Sequence, residues 1–322
     1  MEILEWLLAS SLSNLSAKEK ELATERELNN RIRSVRNISQ VTSALAAVSA
    51  AKASKAQKQV EASRDYAGKA FAILVNLASQ PTVGDTSHPL LTVRAEINRS
   101  ALILITGDRG LAGAYNSNIV AYAENFLKAL PVPVNLIAVG RKGRDLMIRR
   151  GYNVTAAFDD IADEPSLYDI SPIAEVAIED YLSGDVDNVF IAYTDFRNLV
   201  TRIPTVRQLL PLSPLNLEEM AVSEYVEDVD VTVAAEQVYS YEPGPEQLLR
   251  EIVPRFTELQ VYQAILEAKA SEHSARMVAM NNATDNATEL IDYLILERNK
   301  ARQTSITNEI LDIVGGAEAL RG

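Results

Sequence analysis

Cysteine and histidine carry most side-chain chemistry near neutral pH, and this sequence has no cysteine and only two histidines, His88 and His273. A thiol nucleophile, a zinc-thiolate site and a dithiol switch are therefore excluded. His273 has no second ligand at metal spacing and reads as a satisfied helix-surface or interface histidine. The remaining candidates are glycine-rich turns. Gly107-Asp-Arg-Gly-Leu-Ala-Gly113 follows an apolar run and precedes an amphipathic one, where a nucleotide-binding fold cradles phosphate. Its glycines run GxxGxxG instead of GxGxxG, and no GK[ST] completes a Walker loop. The better reading is a tight strand-to-helix turn in which Asp108 or Arg109 pairs locally, and Gly140-Arg-Lys-Gly143 is a second turn of the same kind. No catalytic residue, cofactor site or metal site is expected.

The elements that hold these turns follow from where the helix breakers lie. All twelve prolines fall between Pro81 and Pro254, and outside that window the only glycines are Gly68, Gly315, Gly316 and Gly322. Both ends can therefore run as long helices, over 24–79 and 246–313, each of the order of 80 to 100 Å at 1.5 Å per residue. Helices of that length point to a coiled coil or an extended helical hairpin.

Spacing supports the pairing. Ile32, Val35, Ile38, Val41, Leu45 and Val48 recur every three or four residues as one apolar stripe, enough for one partner helix. The run Ala44–Ala56 is mostly Ala and Ser and predicts a thin stem. A less regular stripe of Val261, Ile265, Met277, Met280, Leu290, Leu294, Ile306, Ile310 and Ile313 lies in the last arm, with Gly315-Gly316 as its helix stop. No run approaches the 18 or so apolar residues of a membrane span.

The middle alternates apolar and amphipathic runs. Strands are predicted at 101–106, 134–139, 152–157, 189–193 and 202–210, and helices at 117–130, 142–150 and 171–182. This βαβα order predicts a mostly parallel, Rossmann-like α/β sheet. The acidic segment 218–236 reads as an exposed loop leading into an edge strand. The expected division is an extension at 1–22, a coiled-coil helix at 23–80, the α/β domain at 81–245 and a coiled-coil helix at 246–322.

Charge is uneven along the 322 residues, whose net charge is -13. Residues 31–69 carry eight basic and two acidic side chains, whereas 70–245 carry 12 and 24. The basic arm has one tyrosine and no aromatic interleaving, so a charged helix face meeting acidic protein partners is favoured over nucleic acid.

Several stretches together resemble the gamma subunit of F-type ATP synthase. They are Arg31-Ile-Arg-Ser-Val-Arg-Asn37, Thr106-Gly-Asp-Arg-Gly-Leu-Ala-Gly-Ala-Tyr-Asn116, Pro204-Thr-Val-Arg-Gln-Leu-Leu-Pro211, Ala275-Arg-Met-Val-Ala-Met280 with Ala283-Thr-Asp-Asn286, and Asn299-Lys-Ala-Arg-Gln303 with Ile313-Val-Gly-Gly316. They occur in the family's order from about residue 23 to the end. The resemblance implies a rotor shaft of two antiparallel helices in a left-handed coiled coil, inside a ring of three alpha and three beta subunits. It further implies contact with the epsilon subunit and the c-ring, peripheral association at the cytoplasmic face of the cell membrane, and a role in coupling proton flow to ATP synthesis and in regulating ATPase activity.

On the same basis Arg302 and Gln303 would face acidic loops of the ring, with Arg31, Arg33, Arg36 and Lys52 on the first arm. Ile306, Ile310, Ile313 and Val314 would form an apolar bearing, and Tyr239, Tyr241, Glu242 and Pro243 would lie at the foot against epsilon or the c-ring. The chain departs from the family where Leu45, Ala46 and Ala47 replace a methionine and a charged residue, and where Ala112 and Ala114 stand for a cysteine and a glycine. Residues 1–22, with Ile3, Leu4, Trp6, Leu7 and Leu8, have no counterpart in the family pattern. Either translation starts near Leu22 or the segment is a short amphipathic accessory helix. A second function class also stays open, a coiled-coil adaptor whose lobe binds a phosphorylated small molecule through Gly107–Gly113.

Overall fold

The computed structural model describes residues 24–78, 88–212 and 244–320. The expectations for residues 1–22, for the acidic segment 218–236 and for Tyr239, Tyr241, Glu242 and Pro243 lie outside the described residues. The chain forms two compact units, one from the residues up to Ser49 together with those from Arg276 onward, the other from Ala50–Ala275.

The first unit is a pair of helices. Helix α1 (Glu25–Ala78) opens on a reciprocal capping box, in which the Thr24 N–H donates to Glu27 Oε2 at 3.1 Å and the Glu27 N–H to Thr24 Oγ1 at 3.4 Å. Its partner is the C-terminal helix Pro245–Ala319. In α1 the residues turned inward are Leu28, Ile32, Val35, Ser39, Thr42, Ala46 and Ser49, spaced alternately four and three apart. In the C-terminal helix Met280, Thr284, Ala287, Ile291, Leu294, Arg298 and Ala301 repeat the same spacing. This is the seam of a coiled coil, and a strict seven-residue repeat winds left-handed. Leu28 and Ile32 cluster with Leu294 and Ala301, while Thr42 meets Thr284, so the two helices run antiparallel.

The seam differs from the predicted stripe. Ile38, Val41 and Val48 are exposed, one position before the half-buried Ser39 and the buried Thr42 and Ser49. Two stripes one residue apart both satisfy a three-or-four spacing. The small residues won the interface because they let the backbones approach closely. The helix also continues through Gly315 and Gly316 to Ala319, where a stop was expected. A helical glycine costs only about 1 kcal/mol relative to alanine, which an otherwise regular helix tolerates.

The second unit is a five-stranded sheet with helices on both faces. In chain order it contains β1 (Ser100–Ile105), α2 (Tyr115–Ala129), β2 (Val134–Val139), α3 (Arg141–Arg149), β3 (Val154–Phe158), α4 (Leu167–Ser183), β4 (Asn188–Phe196) and β5 (Arg202–Leu210). The C-terminal helix Pro245–Ala319 is α5. Strand order is β3-β2-β1-β4-β5, parallel except for the antiparallel β4–β5 pair. β5 is an edge strand, which accommodates Pro204.

All six residues of central β1 are buried and alternate between two cores. Ala101, Ile103 and Ile105 pack with Ile170, Ile173 and Ala177 of α4 and with Val253, Val261 and Ile265 of α5. Leu102 and Leu104 pack with Ile119, Val120 and Ala123 of α2 and Met147 of α3. Each fully buried Leu or Ile contributes roughly 1.5 to 3 kcal/mol, so this strand anchors the lobe. Helix α4 starts four residues before the predicted Ser171, because Ser166 and Asp169 form a capping box ahead of Pro172. Pro172 and Pro254 both sit inside helices, where each removes one backbone donor.

Candidate functional site

Two places can carry function, the carboxyl end of the sheet and the outer surface of the helix pair. At the first, the turns singled out by their glycines lie side by side. The Thr106 hydroxyl donates to Val139 O at 3.1 Å and accepts the Gly143 N–H at 2.8 Å. The Lys142 N–H donates to Gly107 O at 3.1 Å, and the Arg141 N–H to Asp108 Oδ1 at 3.0 Å. The Arg141 Nε stands 3.8 Å from the same carboxylate oxygen. Three amides at the start of α3, the donors a phosphate would use, are thus taken by the protein itself.

Asp108 pairs not within its own turn but with Arg141 of the neighbouring one, so the two turns brace each other. Gly140, at φ +95°, is packed so closely on the Thr106 carbonyl that no side chain fits. The β1–α2 loop is tied by Asn116, whose Oδ1 accepts the Gly107 N–H at 2.9 Å and whose Nδ2 donates to Arg109 O at 3.4 Å.

Helices α1 and α5 bring further charges to this end of the lobe. Lys52 Nζ donates to Asp163 Oδ2 at 2.6 Å, and the Nε2 of buried His273 stands 3.2 Å from Asp163 Oδ1. His273 is therefore an interface histidine. Partial burial works against the charge on Asp163, but the Lys52 hydrogen bond and the nearby His273, Lys52 and Lys269 outweigh it and hold the carboxyl below its ordinary value. Among the described residues no group of His, Asp or Glu is placed to hold a metal ion.

Sequence reasoning missed a buried charge cluster. Arg64 of α1 lies 3.2 Å from Glu267 of α5 and 3.9 Å from Asp195 of β4, and also donates to Phe196 O at 3.0 Å. Arg197 Nε donates to Asp195 Oδ2 at 2.8 Å, and Gln263 Nε2 to Glu267 Oε1 at 3.3 Å. Burial is the main cause that pushes the Glu267 carboxyl up to about 7, with Arg64 opposing and Asp195 reinforcing it. Nothing in the string Ala264-Ile-Leu-Glu-Ala-Lys269 marks its glutamate as buried. The available signal is helical phase, since Glu267 lies three and seven residues from the buried Ala264 and the half-buried Gln260.

On the helix pair, Arg31, Arg33 and Arg36 of α1 and Arg302 and Gln303 of α5 are all exposed. Arg298 Nη1 donates to Asn29 Oδ1 at 3.4 Å and Thr42 meets Thr284, a register that sets Arg302 and Gln303 beside the start of α1 and spreads Arg31, Arg33 and Arg36 over successive turns from there. Beyond Gln303 on α5, Ile306, Ile310 and Ile313 are 49%, 55% and 71% exposed. Lys52 belongs to the other unit.

The chain is similar to known proteins over all of its described residues. The family model for ATP synthase matches residues 24–320. An ATP synthase gamma chain of Moorella thermoacetica is 43% identical over 300 residues, covering 93% of this chain and 100% of its own length. The gamma chain of Dehalococcoides mccartyi strain CBDB1 is 44% identical over 299 residues with the same coverage. Among solved structures, a chain of the Euglena gracilis mitochondrial ATP synthase in rotational state 3 shares the fold with a TM-score of 0.63 at 19% identity, covering 92% of this chain and 94% of its own. A chain of the Tetrahymena thermophila central stalk and c-ring gives 0.57 at 22% identity, covering 76% and 99%.

Proposed function

The chain belongs to the ATP synthase gamma-chain family, and from that premise we propose that its helix pair turns within the ring of three alpha and three beta subunits. It is a non-catalytic subunit of the central stalk. The match over residues 24–320, at 43% identity to a relative covered over its entire length, carries the reading.

Chemistry then takes place on partner subunits, and a shaft influences it only by contacting each of them differently. The seam spends its small and apolar residues on the partner helix and leaves dissimilar faces outside. Arg31, Arg33 and Arg36 on α1 and Arg302 and Gln303 on α5 are exposed at successive turns, and the apolar Ile306, Ile310 and Ile313 follow Gln303 along α5. A guanidinium fork makes charge-assisted bonds with acidic loops at one rotary angle and releases them at the next. Apolar contact is non-directional and suits a bearing that must not lock.

An allosteric coupling is typically about 1 to 3 kcal/mol, and inverting a site from 1:99 to 99:1 takes about 5.5 kcal/mol, so several shaft contacts act together. Lys52 is held by Asp163, and a ring contact there exchanges one carboxylate for another. Tyr239, Tyr241 and Glu242 we assign to the foot, against epsilon or the c-ring. Among the described residues no helix is long and apolar enough to cross a membrane. We place the chain peripherally at the cytoplasmic face of the cell membrane, where it transmits proton-driven rotation and regulates ATPase activity and proton flow.

Co-purification from native membranes tests the reading. One copy per three alpha and three beta chains is expected, with ATPase coupling lost on deletion from Arg302 onward. Recovery as a free monomer, or coupling that survives the deletion, refutes it.

A further inference from the structure

In a doubly wound sheet the ligand crevice opens outside the carboxyl ends of the strands, at the point where strand order reverses. Here that point lies between β1 and β4. The polar contacts of one stretch of α5, residues 268–274, converge on this end of the sheet. Tyr115 Oη donates to Ala268 O at 3.0 Å, Lys269 Nζ to Ile161 O at 2.8 Å, and Ser271 Oγ to Thr194 O at 3.0 Å. His273 faces Asp163, and Ser274 Oγ accepts from Arg202 Nη1 at 3.1 Å.

In the middle of this stretch Glu272 is 6% exposed. A Cβ built on Gly107 would lie 2.7 Å from Glu272 Oε1 and 2.8 Å from its Cδ, and the three nearest atoms all belong to that carboxylate. The Gly107 backbone is outside the left-handed region, so its φ angle does not itself require glycine. Glu272 and Lys269 line the same small cavity as Thr106, Asp108, Tyr115 and Gly140.

We propose that residues 268–274 of α5 are the built-in ligand of the crevice, with the Glu272 carboxylate in the position an anionic ligand takes over the β1–α2 loop. Gly107 is glycine to admit it. The lobe therefore grips its own C-terminal helix where related architectures grip a phosphorylated small molecule, and it leaves no room for one. This goes beyond the coupling role and needs no partner subunit.

The test is thermal unfolding of the full-length chain carrying Gly107→Ala, Glu272→Ala, both, or Gly107→Ala with Glu272→Gln, each with and without inorganic phosphate or ATP. Gly107→Ala alone lowers the midpoint by a few °C, since the buried Glu272 carboxylate has to move aside. Adding Glu272→Ala returns it to the value of Glu272→Ala by itself. The isosteric Glu272→Gln gives no such recovery, because the conflict is steric. Should Glu272→Ala fail to fold, Glu272→Asp, with its carboxylate drawn back by one methylene, carries the same comparison. An equal loss from Gly107→Ala in both backgrounds, or a wild-type midpoint raised by phosphate or ATP, overturns the proposal.

Discussion

The hydroxyls of Thr42 on α1 and Thr284 on α5 lie 2.8 Å apart across the helix seam, joining residues 242 positions apart in the chain. Each hydroxyl also reaches a carbonyl one turn back on its own helix, Thr42 to Ile38 O at 3.1 Å and Thr284 to Met280 O at 2.9 Å. Such a polar pair inside a seam favours the one register in which both groups are satisfied.

Replacing either threonine with valine removes the shared bond and is expected to cost about 1 kcal/mol. The double replacement is expected to cost less than the sum, since two apolar groups leave no unpaired partner. Hydrogen exchange of seam amides around 42 and 284 measures this as local opening in the double variant that is slower than the two single effects added together would give. Additive effects would show that the pair carries no coupling.

Gly140 and Gly151 both hold positive φ, +95° and +85°, yet a side chain at Gly140 meets the Thr106 carbonyl whereas Gly151 has open space around it. Gly151→Ala is expected to cost about 1 kcal/mol of backbone strain alone. Gly140→Ala adds a clash with main chain that cannot move aside, and should cost at least about 3 kcal/mol. Urea midpoints of the two variants rank them directly.

Glu267 gives the chain an unusual pH dependence. Its carboxyl is raised from an ordinary 4.5 to about 7 in the folded state, chiefly by burial. Between those values the native state holds a proton that the unfolded chain has released, so the contribution to stability is full below about 4.5 and is lost as pH rises through about 7. Glu267→Gln keeps the shape and removes the titration, and is expected to flatten stability between pH 5 and 8. A wild-type profile already flat over that range would contradict the assignment.

Arg302 and Gln303 are exposed, so Arg302→Ala should leave the isolated chain within about 0.5 kcal/mol of wild type. In the assembled complex the same change removes charge-assisted bonds made at particular angles, and ATP hydrolysis should fall roughly five-fold or more. Replacing Ile306, Ile310 and Ile313 with serine should likewise spare chain stability but weaken assembly. Unchanged turnover and assembly in both variants would remove these residues from the working surface.

Much of the sheet was legible because buried parallel strands are short apolar runs between breakers. β2 and β5 fall at their predicted bounds, and β1 is displaced by one residue. The seam was harder to read. Ile38, Val41 and Val48 look like an interface by size, but close backbone approach selected Ser39, Thr42 and Ser49 one position on. The cluster of Arg64, Asp195 and Glu267 was hidden for a different reason. Its members come from three elements, and burial of a charge depends on tertiary neighbours that no local pattern contains. The role of Gly107 was equally unreadable, since the side chain that requires it lies in α5, far along the chain.

The alanine, serine and threonine content of the middle of the helix pair has a consequence for how the molecule is made. Parting the two helices there uncovers little oily surface, so a nascent chain whose second arm has not yet been synthesised does not present a long sticky strip to its neighbours. Closure would then be driven from the level of Leu28, Ile32, Leu294 and Ala301, where the larger apolar groups gather, and would spread from that end like a zip.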